Sequence, residues 1–408
     1  MTPSIVFQSH KDLAEYKGPE NSLDFIDHEV SVSLDSTNAF EGPEKLLEVW
    51  FAPTSYELPN YWPHNGLRSI PIQSIESMLD LVNCKILSKI SSEQVDSYLL
   101  SESSLFVYPH KLILKTCGTT TTLYCLEKLL SLVKIFCNYS FDTLDEVYRI
   151  FYSRKSFTFP ERQIPIHRSW ESELNYLSNY FKAENHENYI LGDVEKTTHW
   201  HLYINGTNKK LSNVNSPSTP ESIDKVIENN IMKDFTLELL MSDLDSENSK
   251  KFQLSNYNVK INKNDDEGHQ IGNQMMSLTG LNDLYNVKNI KHDSFAFSPC
   301  GYSSNSLLNG ENYYTFHITP EAGWSFASFE TNVISTPTEI SNVVEKVVEA
   351  VKPGKFILVA CVEEGSNAGI GEELQKMICS VDGYKRSHTI VKSMKFDYKL
   401  VYAFFEKN

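Results

Sequence analysis

The run Leu100-Ser101-Glu102-Ser103 contains residue types that could perform chemistry on the chain itself. The Ser103 hydroxyl can attack the Glu102 carbonyl and convert the amide into an ester. A base that removes the Ser103 α-proton would then expel the Glu102 carboxylate, and loss of ammonia would leave a pyruvoyl group. Its ketone is an electron sink of the kind that pyridoxal cofactors provide. A polar hairpin end is the plainer interpretation, and this run alone does not decide between them.

Other candidates are less specific. Cys117 ends an apolar run, where a cysteine is usually inert packing. Asp234 and Glu238 are four residues apart and would share one face of a helix, but the same segment could equally form a strand. His199 and His201 would share one face of a strand. With no third ligand apparent, we predict structural histidines and no metal site.

The elements around these residues repeat in two halves. Apolar patterns predict strands at 82–90, 95–103, 104–110 and 111–117, a helix at 72–82, and later strands at 313–319, 324–330 and 355–361 with a helix at 339–351. This order predicts an α+β fold, a duplicated unit whose helices pack on antiparallel sheets. Two polar insertions, about 205–224 and 245–270, are expected to be surface loops.

Composition restricts the class of protein. The 408 residues carry a net charge of −16, which disfavours nucleic acid and anionic membranes as partners. The seven cysteines include no CxxC pair, and no apolar run could form a signal peptide or a membrane span. We therefore predict a cytoplasmic protein with free thiols.

Several motifs, taken together, resemble the eukaryotic, pyruvoyl-dependent S-adenosylmethionine decarboxylase family, most closely its fungal members. They are LSESSLFV, LKTCGTT, FEGPEKLLEVWF, YSRKSF, SPCGYSSN and YTFHITPE, in the family's order. The resemblance runs from about residue 36 to the C-terminus. It implies a four-layer α/β/β/α sandwich of two antiparallel sheets, with residues 1–35 as an N-terminal extension and 36–408 as the decarboxylase domain.

The resemblance also implies a reaction. Self-cleavage at Glu102-Ser103 would give a β chain, 1–102, and an α chain, 103–408, headed by a pyruvoyl cofactor from Ser103. That group would form a Schiff base with S-adenosylmethionine, and the decarboxylated product would be the aminopropyl donor for spermidine and spermine. His317 matches the base that takes the α-proton, Ser303 the hydroxyl that supports ester formation, and Cys117 the proton donor to the substrate.

Substrate and regulator residues follow in the same way. Phe40 and Phe297 match two rings that stack on adenine, Leu100 a further substrate contact, and Glu321 the acid that binds the ribose. Residues that match a buried site for putrescine, the expected activator, are Asp234, Glu238, Glu330, Lys115, Glu44, Phe151 and Tyr398. Lys45 and Arg154 match basic members of that network. Cys361 departs from the aromatic residue that relatives often carry there, which puts the strength of activation in doubt.

Two alternatives remain. An inactive relative that binds and activates a catalytic subunit would lose the serine or its helpers, whereas this chain keeps Ser103, Ser303, His317 and Cys117. A self-processing amidohydrolase would keep a free N-terminal amine and hydroxyl after the cut. The resemblance also allows a homodimer of cleaved αβ units.

Overall fold

Two eight-stranded antiparallel sheets form the centre of the molecule. The computed structural model describes residues 42–139, 147–207, 234–257, 266–321, 323–333, 337–363 and 380–408. The strands of the first sheet are β1 (Lys45–Trp50), β2 (Ile86–Ser91), β3 (Asp96–Leu100), β4 (Ser103–Val107), β5 (Lys111–Thr116), β6 (Arg149–Lys155), β7 (Glu187–Leu191) and β8 (Trp200–Gly206). Those of the second are β9 (Phe235–Leu244), β10 (Lys291–Ala296), β11 (Tyr302–Leu307), β12 (Tyr313–Thr319), β13 (Phe326–Thr331), β14 (Pro353–Glu363), β15 (Tyr384–Ser393) and β16 (Tyr398–Lys407).

The two sheets have the same topology. The first has the order β2-β3-β4-β5-β1-β6-β8-β7 and the second the order β10-β11-β12-β13-β9-β14-β16-β15, so each strand corresponds to the one eight places later. Neighbouring strands pair antiparallel throughout both sheets. The predicted duplication is thus confirmed at the level of strand order, although the halves share little obvious sequence.

Helices cover the outer faces. They are α1 (Ile72–Asp80), α2 (Cys125–Phe136), α3 (Trp170–Leu177), α4 (Ser246–Ser249), α5 (Glu267–Thr279) and α6 (Pro337–Val351). One apolar core joins α1, α2 and α3 to the first sheet, and a second joins α5 and α6 to the second sheet. Smaller apolar clusters lie between the sheets. The layers are therefore helix, sheet, sheet, helix, and the predicted four-layer α/β/β/α sandwich is confirmed.

Strand alternation explains what lies between the sheets. In β1, Leu47 and Val49 belong to the helix-side core, so the alternate residues of this strand point toward the other sheet. Among these is Glu48, which is buried. Charged side chains thus point into the space between the sheets, although the strands that carry them have largely apolar sequences.

The two predicted insertions are partly regular structure. Asn205 and Gly206 finish β8, and the rest of 205–224 lies outside the described residues except Thr207. In 245–270, the described residues form α4, two short 3-10 turns and the start of α5, so those residues are mainly helical rather than the predicted loop, and 258–265 lie outside the described residues. Asp245 and Asp266 explain the difference, because each accepts backbone N–H bonds as a helix N-cap.

The extension 1–35 lies outside the described residues, as does Phe40. No helix in the described ranges combines the length and apolar character that a membrane crossing needs.

Candidate active site

A cleft opens where the ends of β4 and β12 face each other across the two sheets. We name it the Ser103 cleft. It gathers seven residues predicted from the sequence, which are Glu102, Ser103, Cys117, Phe297, Ser303, His317 and Glu321. Its other lining residues are Gly42, Ser101, Cys300, Gly301, Tyr302, Ile318, Thr319 and Phe326. The first sheet provides the Glu-Ser pair and the thiol, and the second provides the imidazole and its serine.

Ser103 begins β4 directly after a two-residue turn. Leu100 pairs with Ser103 across the hairpin, which leaves Ser101 and Glu102 as the turn. The φ angle of Ser103 is 111°, a region that residues with a side chain rarely adopt. Such a conformation costs on the order of 1–3 kcal/mol and persists only where the surroundings hold it. The strain lies at the bond whose cleavage the sequence predicts.

Cys117 contacts Glu102 with both its backbone and its side chain. Its N–H donates to the Glu102 carbonyl oxygen at 3.2 Å, and its thiol donates to the Glu102 carboxylate at 3.6 Å. A backbone N–H on this carbonyl would stabilise negative charge that develops there during an attack on the carbon. Burial raises the Cys117 pKa well above its usual value, and the nearby carboxylate of Glu102 raises it further. The thiol is thus protonated near neutral pH.

His317 is buried and bonded at both ring nitrogens. Nδ1 lies 2.8 Å from the Ser303 hydroxyl, and Nε2 lies 2.7 Å from Thr315 Oγ1 and 3.0 Å from Ser104 Oγ. Burial holds the pKa of His317 well below its ordinary value, and the positive charge of Lys115 lowers it further. The imidazole is therefore neutral, which is the form that can accept a proton.

Ser104 and Thr315 were not predicted from the sequence, although both occupy inward positions on strands beside predicted residues. Glu102 itself is partly buried, and desolvation raises the pKa of its carboxyl to about 7, against the opposing effects of Cys117 and Lys45.

The substrate-contact predictions fare differently. Phe297 and Glu321 both line the Ser103 cleft, and the Phe297 ring packs against Phe295 with centroids 4.9 Å apart. The Leu100 side chain lies in the helix-side core of the first sheet instead, because it points to the other face of β3. Phe326 lines the cleft and was missed, since nothing separates it from the other apolar residues of its strand.

Lys115 occupies the space between the sheets and bonds to two acids. Its ammonium lies 2.7 Å from Glu330 and 3.3 Å from Glu238. Glu330 also accepts from the Tyr313 hydroxyl at 2.5 Å. The segment that contains Glu238 is the strand β9, so the helical alternative for Asp234 and Glu238 is wrong. Strand alternation nevertheless puts the two acids on the same face.

Glu44 connects this acid cluster to the Ser103 cleft. Its Oε1 accepts from the Ser328 hydroxyl at 2.7 Å and lies 3.5 Å from Ser103 Oγ, while its buried Oε2 has no hydrogen-bond partner. Burial raises the Glu44 pKa, and Lys115 opposes that effect. Glu44 therefore links the charge of Lys115 electrostatically to Ser103.

Opposing effects set the charge of the cluster. Burial alone would lower the Lys115 pKa, but Glu330, Glu44 and Glu238 outweigh it and raise the value. Burial raises the Glu238 pKa to about 7 despite Lys115, and Glu330 and Glu44 add to the rise. Lys115 therefore stays charged, and Glu238 exchanges its proton near neutral pH.

A second cleft, which we name the Asp234 cleft, lies beside the cluster. It is lined by Leu46, Glu48, Phe151, Ser153, Trp200, Leu202, Asp234, Thr236, Glu238, Val359 and Cys361. Tyr398 donates to Asp234 at 2.9 Å, and its ring meets the Phe151 ring edge-on with centroids 5.1 Å apart. The shape and charge of this cleft suit an elongated dication. Two acids, Asp234 and Glu238, line it together with the aromatic rings of Phe151 and Trp200.

Two charged residues at this cleft were missed. Lys111 lies 3.6 Å from Asp234 and sits over the Trp50 ring at 3.7 Å. Glu48 lines the cleft, and burial raises its pKa to about 7. Both side chains point into the space between the sheets. The sequence pattern predicts that these segments are strands but does not show which side chains face the other sheet.

The predicted role of Lys45 and Arg154 in this network is wrong. They are register partners on β1 and β6 and point to the helix side of the sheet. Arg154 Nε lies 2.9 and 2.8 Å from the two carboxylate oxygens of Glu173 on α3. Lys45 donates to the Gly118 carbonyl at 2.9 Å, behind the Cys117 loop. Neighbouring strand residues face opposite ways, so Glu44 and Lys45 are separated by the sheet itself.

His199 and His201 lie side by side, with ring centroids 4.9 Å apart. His201 is in β8, and its ring packs against Trp170 at 4.8 Å. Across the described ranges, no three His, Cys, Asp or Glu side chains are grouped as a metal ion would require.

The protein thus consists of two facing, duplicated sheets, and one cleft between them holds a serine, an imidazole and a thiol. The family model described as adenosylmethionine decarboxylase matches residues 37–406, so the chain belongs to that family. It is 42% identical to the S-adenosylmethionine decarboxylase proenzyme of Saccharomyces cerevisiae over 76% of this chain and 77% of the relative. The proenzyme of Onchocerca volvulus is 34% identical over 90% of this chain and 88% of its own. A crystal structure of a Trypanosoma brucei AdoMetDC-delta26 monomer aligns with 22% identity over 74% of this chain and 99% of its own, with a TM-score of 0.49.

The Arg154–Glu173 pair generates a stability prediction. Glu173 also accepts from Tyr152 at 2.6 Å and contacts His167 at 2.8 Å, so Glu173→Ala would leave a buried guanidinium without its partner. We expect a loss of about 3–5 kcal/mol in the free energy of unfolding, measured by urea denaturation. Glu171→Ala, on the exposed side of the same helix, is the control and should change little. Equal losses in both variants would show that the pair does not stabilise the fold.

Proposed function

We propose that this chain is a proenzyme that cleaves itself between Glu102 and Ser103 and then decarboxylates S-adenosylmethionine to the aminopropyl donor for spermidine and spermine. The observation that carries the proposal is the meeting, in one cleft, of a strained serine with a buried neutral imidazole and its serine partner. Family membership supports the same reaction.

The cleavage would proceed in two stages. Ser103 Oγ attacks the Glu102 carbonyl carbon, the C–N bond breaks, the released nitrogen takes a proton, and an ester replaces the amide. The Cys117 N–H on the carbonyl oxygen supports the charged intermediate. His317 then removes the Ser103 α-proton, and the main-chain carboxylate of Glu102, now the C-terminus of the smaller chain, leaves from the Ser103 β-carbon. Tautomerisation of the dehydroalanine and attack by water release ammonia. Removal of the bond also relieves the backbone strain at Ser103.

The residues of the Ser103 cleft suit the second reaction. The pyruvoyl group, when formed, supplies a ketone that engages the substrate amine and takes up the electron pair left by CO2. The Cys117 thiol is protonated near neutral pH and would donate that proton to the substrate carbon after CO2 has left. Phe297 offers a ring face for adenine, and Glu321 offers a carboxylate for the ribose hydroxyls.

The Asp234 cleft would bind putrescine as an activator. Asp234 and Glu238 provide acids at two depths, and Phe151 provides an apolar wall for the methylene chain. A bound dication would favour ionisation of Glu238. The change in charge would reach Ser103 through Lys115 and Glu44.

Self-cleavage is tested by replacing the nucleophile. Purified protein should separate into two chains, 1–102 and 103–408, with the larger chain blocked to Edman degradation. Ser103→Ala should give one uncut chain, because the attacking hydroxyl is absent. Ser101→Ala is the control and should cleave, since the Ser101 hydroxyl accepts from the Lys85 N–H and is not the group that attacks the Glu102 carbonyl. Intact mass decides the result. A free N-terminal serine would indicate an amidohydrolase, and an uncut wild type would point to an inactive relative.

Cys117→Ala should separate cleavage from turnover. The variant keeps its backbone N–H on the Glu102 carbonyl, so the chain should still be cut. Decarboxylation should fall about 10²–10⁴-fold, because the proton donor is lost. Release of labelled CO2 from the correctly cleaved variant measures this. Cys137→Ala, which removes a buried thiol on the helix side, serves as the control. Unchanged turnover in Cys117→Ala would remove the thiol from the mechanism.

Putrescine binding should strengthen as pH rises through 7. A raised carboxyl pKa means that Glu238 is largely protonated below about 7 in the empty cleft and must lose that proton to pair with a dication. One such acid makes binding about tenfold weaker at pH 6 than at pH 8. Calorimetry of the cleaved protein measures the affinity.

Glu238→Gln should weaken binding, reduce its pH dependence to the part that Glu48 contributes, and lower the stimulation of decarboxylation. Asp243→Asn, an acid on the same strand outside the cleft, is the matched control. Equal pH dependence in Glu238→Gln and wild type would exclude Glu238 from the site.

A further inference from the structure

Asn305 is a buried residue of β11 that bonds to both sheets. Its Oδ1 lies 2.6 Å from Ser104 Oγ and 2.9 Å from Thr315 Oγ1. Its Nδ2 donates to the backbone carbonyl of Tyr98, on β3, at 3.1 Å. The two hydroxyls it contacts are those that meet His317 Nε2. A single amide therefore stands behind the imidazole of the Ser103 cleft.

The Tyr98 carbonyl fixes the orientation of this amide. A carbonyl oxygen only accepts, so it must face the NH2 group of Asn305. The oxygen of Asn305 then faces the hydroxyls of Ser104 and Thr315 and can only accept from them. Flipping the amide would set two oxygens against each other at 3.1 Å, which a buried site does not tolerate.

The hydroxyl groups of Ser104 and Thr315 therefore donate their protons to acceptors other than the imidazole. Ser104 donates to Asn305 Oδ1 at 2.6 Å. Thr315 donates either to Asn305 Oδ1 or to the Ser304 carbonyl, which lies at 3.0 Å. Both hydroxyls then present lone pairs to His317 Nε2, which must carry the hydrogen. Nδ1 is left with its lone pair, and the Ser303 hydroxyl donates to it.

The opposite tautomer fits the same distances poorly. If Nε2 carried the lone pair, Thr315 would donate to it at 2.7 Å and Ser104 would still donate to Asn305. Three short contacts would then join acceptors to acceptors: Thr315 to Asn305, Thr315 to the Ser304 carbonyl, and Ser104 to Nε2. The first tautomer leaves only one such contact, so it is the more stable one.

We infer that Asn305 is a positioning residue that holds His317 in the Nε2–H tautomer and so makes Nδ1, on the Ser303 side, the proton acceptor in self-cleavage. This inference rests on the proposed function for the role of His317 in cleavage, but the tautomer itself does not. Asn305 acts through Ser104 and Thr315 and does not touch the reacting atoms. It also links the base to β3, the strand that leads into the scissile hairpin.

The tautomer can be measured without any cleavage. In uncut Ser103→Ala protein labelled with 15N-histidine, the two ring nitrogens of each histidine give distinct shifts, and loss of a signal in His317→Ala assigns this one. We expect a protonated Nε2 and an unprotonated Nδ1. Asn305→Ala in the same background should move the signals toward the other tautomer, because the hydroxyls become free to donate to Nε2. Unchanged shifts would overturn the inference, whether or not the wild type cleaves.

Cleavage rates test the consequence. Asn305→Ala should slow self-cleavage by roughly tenfold or more, the cost of one lost hydrogen bond in the reactive form. Burial favours the protonated form of Asp at this position, so Asn305→Asp can donate its O–H to the Tyr98 carbonyl and keep an accepting oxygen for Ser104 and Thr315. It should therefore retain the tautomer and cleave faster than Asn305→Ala. Asn332→Ala, which removes an amide at the end of β13, is the matched control and should cleave normally. If Asn305→Ala cleaves at the wild-type rate, or if both Asn305 variants are equally slow with an unchanged tautomer, Asn305 serves only as a bridge between the sheets.

Discussion

The ion pairs of Lys115 are the interaction on which the space between the sheets depends. Its ammonium comes from the first sheet, and both of its acids come from the second. A buried charge without a partner costs several kcal/mol, so the sheets must meet in the one register that joins these groups. That same register brings Ser103 and His317 into one cleft. Pairing of charge and assembly of the Ser103 cleft are therefore a single geometric requirement.

Duplication explains how one cleft obtains two kinds of chemistry. Each half has the same strand order, and β4 of the first sheet corresponds to β12 of the second. One copy carries Ser103 and the other carries His317. Because the copies face each other, corresponding strands can hold different reactants without any change in the fold. The two halves diverged in side chains while the sheets kept their hydrogen-bonding order.

Much of the fold could be predicted from the local pattern of apolar residues, whereas the residues of the two clefts could be predicted only in part. The strand at 313–319 was predicted with its observed bounds, since its apolar run and turn signals are strong. The family resemblance placed Lys45 in the putrescine network, whereas its ammonium donates to the Gly118 carbonyl on the helix side of the sheet. The sequence pattern does not show which face of a strand a side chain occupies, so it could not correct that prediction. Asn305 and Ser104 had no signal at all. Their importance comes from contacts across sheets some two hundred positions apart in sequence, as the Ser104–Asn305 bond illustrates.

Burial sets the protonation state of each group in the Ser103 cleft. It lowers the His317 pKa and raises those of Cys117 and Glu102, so the base is neutral and the thiol keeps its proton. These opposite shifts have one cause, since a dry site penalises the charged form of every group. Lys115 adds to the effect on His317 because its positive charge disfavours a second one nearby. The lysine that joins the sheets thus also helps keep the His317 imidazole neutral, and the dry interior that holds the acids is the one that leaves this imidazole able to accept a proton.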